Sequence, residues 1–163
     1  MKKIACLMVL LLAAGSATAQ SAAVSPRLAL WITDPIGATN AAQCHQMALR
    51  QPPATSPTAT EREVTGWDRS DATWTLDPAR HAGAEVAESM TDHCFVLSLD
   101  GKLISGVVLS RHSARLVRFP TLAVSSRDGV LSLRLLSGFA GEATPPLDSE
   151  RLDRILHDKA NRE

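Results

Sequence analysis

The sequence predicts an α+β fold: an antiparallel β-meander of four or five strands from the second half, packed by two or three helices. Three observations lead to it. Asp100-Gly101 and Asp128-Gly129 each separate two apolar runs, and this dipeptide supplies the positive φ angles of a two-residue hairpin turn. Leu131, Leu133 and Leu135 alternate with Ser132 and Arg134, as a strand buried on one face requires. Helix signals stand elsewhere. Asp77-Pro78 offers an N-cap followed by proline in the first helical position, and Leu152, Ile155 and Leu156 form one stripe near the C-terminus.

Taken in order, the chain starts with Lys2 and Lys3, then an uncharged apolar run from Ile4 to Ala14, then Gly15-Ser16-Ala17-Thr18-Ala19. These are the three parts of a secretory signal peptide, with Ala17 and Ala19 in the arrangement a signal peptidase accepts. Residues 1–19 are therefore expected to be cleaved, leaving 20–163 as a single periplasmic α+β domain. The apolar run is shorter than the roughly 20 residues that span a bilayer. Cys6 lies near the start of that run, not after it as a lipid anchor would need. The short lysine-led signal is of bacterial type, so the expected location is the periplasm or the medium beyond, with no membrane attachment after cleavage.

Arg27–Thr33 reads as a short buried strand, stopped by Asp34-Pro35-Ile36-Gly37. A helix is expected from about Asn40 to Arg50, with Ala41, Cys44, Met47 and Ala48 on one face and Pro52-Pro53 as its stop. Residues 51–60 are rich in Pro and Thr without apolar period, and read as a surface loop. Val64–Leu76 is irregular, with one edge strand over Thr73–Leu76. The Asp77-Pro78 helix is expected to run to about Met90, weakened by Gly83. Strands follow over Cys94–Leu99, Lys102–Leu109, Arg118–Ser125 and Val130–Leu136. A final helix, capped by Asp148 or Ser149, is expected to reach about Asn161.

Three cysteines are present, and removal of Cys6 with the signal leaves Cys44 and Cys94. An even pair in an oxidising compartment predicts a disulfide. The alternative is a metal site in which Cys44-His45 and His93-Cys94 supply a Cys₂His₂ set. Adjacent ligands chelate poorly, because neighbouring side chains on a strand point to opposite faces. The disulfide is therefore preferred, with His45 and His93 as its neighbours, and no cofactor is expected.

The formal net charge is zero, but it is unevenly spread. Between Gln20 and Asp100 five arginines face ten carboxylates; between Gly101 and Ala140 one lysine and five arginines face Asp128 alone. The lack of an overall basic excess argues against a nucleic-acid binder. The densest polar cluster is Ser110-Arg111-His112-Ser113-Ala114-Arg115, continuing to Arg118. Its arginines fit a carboxylate or phosphate, since the guanidinium presents a fork of donors. Ser110 or Ser113 with His112 is a conceivable nucleophile and base, although no G-x-S-x-G elbow surrounds them.

The leading expectation is an exported, non-catalytic protein-binding module, an inhibitor or immunity-type partner of a toxin or envelope hydrolase. Its partner would be another protein in the cell envelope. Arg111, His112, Arg115 and Arg118 with the loop around Trp67 form the expected interface, because tryptophan and arginine are enriched at interface hot spots. A periplasmic metal or small-ligand binding protein using His45 and His93, and a small serine hydrolase, are the alternatives.

Overall fold

The computed structural model describes residues 25–35, 43–44, 51–81, 83–116, 120–136 and 148–160. Eight strands form one sheet: β1 (Leu28–Pro35), β2 (Ala59–Thr60), β3 (Val64–Asp68), β4 (Thr73–Leu76), β5 (His93–Leu99), β6 (Lys102–Ser110), β7 (Thr121–Arg127) and β8 (Val130–Leu136). The described residues contain two α-helices, α1 (Gly83–Met90) and α2 (Ser149–Ala160), and Gln43 and Cys44 are also helical.

The strand order is β2-β1-β5-β6-β7-β8-β4-β3. The first and last strands of that order are successive in the chain, joined by the single 3₁₀ turn Glu61–Glu63. The sheet therefore curls until its two edges meet at that turn, a nearly closed barrel. Side chains hold the seam. Glu61 accepts the backbone N–H of Arg27 and of Leu28 at 3.2 and 3.1 Å. Glu63 accepts the N–H of Thr60 at 2.6 Å, and Lys159 of α2 donates to the carbonyls of Arg62 and Val64.

This overturns the expected meander packed by two or three helices. Half of the strands lie in the first half of the chain, and β6 pairs with β7 in parallel, Val107 opposite Thr121 and Ser110 opposite Val124. Strand pairing across the whole chain outweighs the local irregularity of Val64–Leu76. The expected helix from Asp77 does not start there either. Asp77 caps a turn, its Oδ1 accepting the N–H of Ala79 and its carbonyl those of Arg80 and His81, and α1 begins only at Gly83. The loop at 51–60 ends in strand β2. Of the expected Asn40–Arg50 helix, all but Gln43 and Cys44 lies outside the described residues, as does the signal segment.

The core follows from the alternation of each strand. Leu28 and Leu30, Phe95, Leu97 and Leu99, Ile104 and Val108, Leu122 and Val124, Leu131, Leu133 and Leu135, and Trp74 and Leu76 all join one buried cluster inside the curl. Ala87 and Met90 of α1 and Leu152, Ile155 and Leu156 of α2 complete it. Side chains thus fill the barrel, as in small barrels whose interior is just wide enough for them. The Asp-Gly hairpins are present, with φ of +48° and +82° at Asp100-Gly101 and +52° and +78° at Asp128-Gly129.

The outer face is covered along β1, β5 and β6. Cys44 is joined to Cys94 with the Cα atoms 5.3 Å apart, and this pair packs with Val107 and Leu109. Nearby, Trp31 packs with Ala29, Val96 and Leu103, and its indole N–H donates to the carbonyl of Thr55 at 2.9 Å. No helix among the described residues is long and apolar enough to cross a membrane.

Candidate binding site

The site is created where β6 stops short of its neighbour. Pairing with β7 ends at Ser110 opposite Val124, and one further bond runs from the N–H of Arg111 to the Val124 carbonyl at 2.9 Å. β7 continues to Arg127, still paired with β8. The chain leaving β6 turns into the 3₁₀ segment Ser113–Leu116. Beside the overhanging part of β7 lies a cavity of about 410 Å³, lined by Ala87, Glu88, Thr91, Ser110, Arg111, Val124, Ser125 and Ser126. That volume is within the range of small-ligand and anchor-residue pockets.

α1 supplies the facing wall. Its Ala87 is buried toward the core while Glu88 is exposed. The helix ends at Met90; the N–H and Oγ1 of the next residue, Thr91, both donate to the Glu88 carbonyl, and Asp92 at φ +61° turns the chain back toward β5. A left-handed residue after the last turn is a common helix stop.

The rim is charged. Arg111 donates to Asp71 Oδ2 at 3.1 Å, and Arg134 reaches Oδ1 of the same carboxylate at 2.7 Å. Asp71 sits in the turn between β3 and β4, so this pair of contacts ties the sheet's terminal hairpin to β6 and β8. One carboxylate serves two guanidinium groups on this rim, and Glu88 sets a second carboxylate on the facing helix wall. The Nε of Arg134 is buried without a hydrogen-bond partner among the described residues.

The residues expected to carry function are only partly brought together. Ser110 and Arg111 line the cavity, and His112 and Ser113 are exposed immediately after them. Ser110 Oγ bonds to Ser113 Oγ at 3.0 Å, and among the described residues His112 bonds to neither serine. The side chain of Arg115 and the whole of Arg118 lie outside the described residues. Trp67 is not on an exposed loop. It lies in β3, half-buried against the core, with its indole N–H donating to Asp153 Oδ1 of α2 at 2.9 Å. Cys44 and Cys94 are consumed by their disulfide, and His93 is half-buried with Nδ1 on the Thr91 carbonyl at 2.8 Å. His45 lies outside the described residues, and among those described no group of three or more His, Cys, Asp or Glu could hold a metal ion.

Sequence reasoning missed Ala87, Glu88, Thr91, Ser125 and Ser126. They come from elements far from Ser110 in the chain, and their meeting depends on the parallel pairing of β6 with β7. Comparison with known proteins gives no relative: no family model matches the chain, and no curated protein or solved structure matches it.

Proposed function

We propose that this chain is an exported, non-catalytic binding domain that acts on another protein of the cell envelope, as an inhibitor or immunity-type partner would. The observation that carries the reading is the cavity beside Arg111. It combines an apolar floor of Ala87 and Val124 with hydroxyls and one guanidinium, the make-up of a recognition pocket. Ser110 and Ser113 bond to each other and not to His112, which favours recognition over acyl transfer. The disulfide supports an oxidising compartment, and the residues at 1–19 support export through a signal peptide.

The test is affinity capture from a bacterial envelope extract with the oxidised protein, beside Arg111→Ala and Ser125→Trp, the second of which fills the cavity. A stoichiometric partner held by the wild type and released by both variants is the expected result. A partner held equally by all three, or none at all, overturns the reading.

A further inference from the structure

The overhang of β7 leaves a specific gap in the backbone bonding. In the parallel pairing, the carbonyls of Pro120 and Val124 accept the N–H groups of Val107 and Arg111. Even-numbered residues of β7 therefore turn their backbone polar groups toward β6, and odd-numbered ones toward β8. By this alternation the N–H and C=O of Ser126 face the side that β6 has vacated. Among the described residues no backbone bond from Ser126 to Arg111 fills the place. The cavity occupies it, with α1 as the opposite wall.

An unpaired stretch of strand edge facing a helix across a groove is the geometry used when an extended peptide adds itself to a sheet. Main-chain bonds then supply affinity, and neighbouring side chains supply selectivity. Here the overhang from Ser125 to Arg127 is roughly 10 Å long at about 3.3 Å per residue, room for one or two added residues to pair. Arg111 and Arg134 share Asp71, so the β6 rim is positive, while Glu88 stands exposed on the helix wall. An isolated apolar ligand would leave the Ser126 groups unmet; a peptide meets them.

We propose that the groove takes an extended peptide segment of the partner, which pairs with Ser126 as an added strand and places a carboxylate against Arg111. This deepens the binding reading above and rests on it. The carboxylate is either an acidic side chain or the segment's own C-terminus, and the two share the same chemistry at the guanidinium.

The test starts from two displayed libraries of random heptapeptides, one with free and one with amidated C-termini, selected on the oxidised full chain. Selected peptides are then measured against wild type, Arg111→Ala and Ser126→Pro. Proline removes an N–H that forms no backbone bond toward β6 among the described residues, and thermal unfolding verifies that this variant stays folded. A benzophenone attached at Ser125→Cys, in protein whose disulfide is intact, reports location independently of the proline variant. The expected result is a set of peptides carrying a carboxylate, cross-linked at position 125 and weakened about tenfold or more by either substitution. Enrichment in the free library alone assigns the carboxylate to the C-terminus, and enrichment in both assigns it to Asp or Glu. Selected peptides that miss the cross-linker, or that ignore both substitutions, overturn the added-strand proposal while a partner captured in the previous experiment still upholds the binding reading. Failure to select any peptide overturns it as well.

Discussion

Gly106 lies directly beneath Pro120: a methyl group built on its Cα would stand 1.9 Å from the Pro120 carbonyl oxygen and 2.8 Å from Phe95 Cε1. This is where the chain, having left β6, returns to begin β7 beside it. A parallel neighbour requires a crossover, usually of a dozen or more residues. Residues 111–120 make it in ten, and the missing side chain at 106 is what lets Pro120 come so close.

Gly106→Ala is therefore expected to destabilise the protein by about 3 kcal/mol, at the upper end of overpacking costs, because the clash is with backbone that cannot rotate away. Chemical denaturation measures it. A loss under about 0.5 kcal/mol would show that Pro120 does not rest on Gly106.

Asp100 is held below its ordinary carboxyl value of 3.8, first by the hydrogen bond from the Arg27 side chain and then by the charges of Arg27, Arg151 and Arg154. Arg27 also pairs with Asp158 at 2.7 Å, so β1, the β5–β6 turn and α2 meet at one guanidinium. The folded pKa lies below the unfolded one, so this contribution is fully present above about pH 4 and is lost as pH falls through the folded value. Thermal unfolding between pH 6 and pH 2.5 should show a steeper acid loss for the wild type than for Asp100→Asn. Parallel curves would refute the linkage.

The Cys44–Cys94 bond closes a separation of 50 residues. Cys44→Ser with Cys94→Ser should lower stability by about 2–4 kcal/mol on the chain-entropy account. Reductant should lower the melting temperature of the wild type and leave that of the double variant unchanged. Equal melting of the two proteins without reductant would mean the bond restrains little.

His81 is buried, and its Nε2 has no hydrogen-bond partner among the described residues. An unmet buried polar atom costs about 1–3 kcal/mol, and its removal by a group of similar shape recovers part of that. His81→Leu is expected to raise stability by about 1 kcal/mol in urea unfolding. A decrease of that size would indicate a partner for the ring that the geometry does not reveal.

Much of the second half was legible because its turns announce themselves. Asp100-Gly101 and Asp128-Gly129 demand positive φ at both positions, which no helix or strand interior accommodates, and the alternation of Leu131, Leu133 and Leu135 does the rest. Thr73–Leu76 was legible as a strand, with Trp74 and Leu76 buried and Thr73 and Thr75 half-buried, but not as an edge: it lies inside the sheet between β8 and β3. β3 was not, because a bulge between Val64 and Gly66 breaks its alternation and its tryptophan turns to α2. Asp77-Pro78 misled for a physical reason: a capped turn and a helix start use the same local bonds, and only the chain beyond decides between them. At the site, Ser110 and Arg111 stood out as a polar cluster, whereas Ser126 matters for its backbone, to which sequence is blind.

The seam of the barrel also sets how the molecule would fail. Arg62 lies exposed in the three-residue turn that joins the two ends of the sheet. A single cut by a trypsin-like protease at that residue would sever the covalent join between the sheet's two edge strands, β2 and β3, and let those borders part and recruit other strands. One nick in a well-packed protein would then end in polymer, so the clasp formed by Glu61, Glu63 and Lys159 guards against self-association as much as it joins strands.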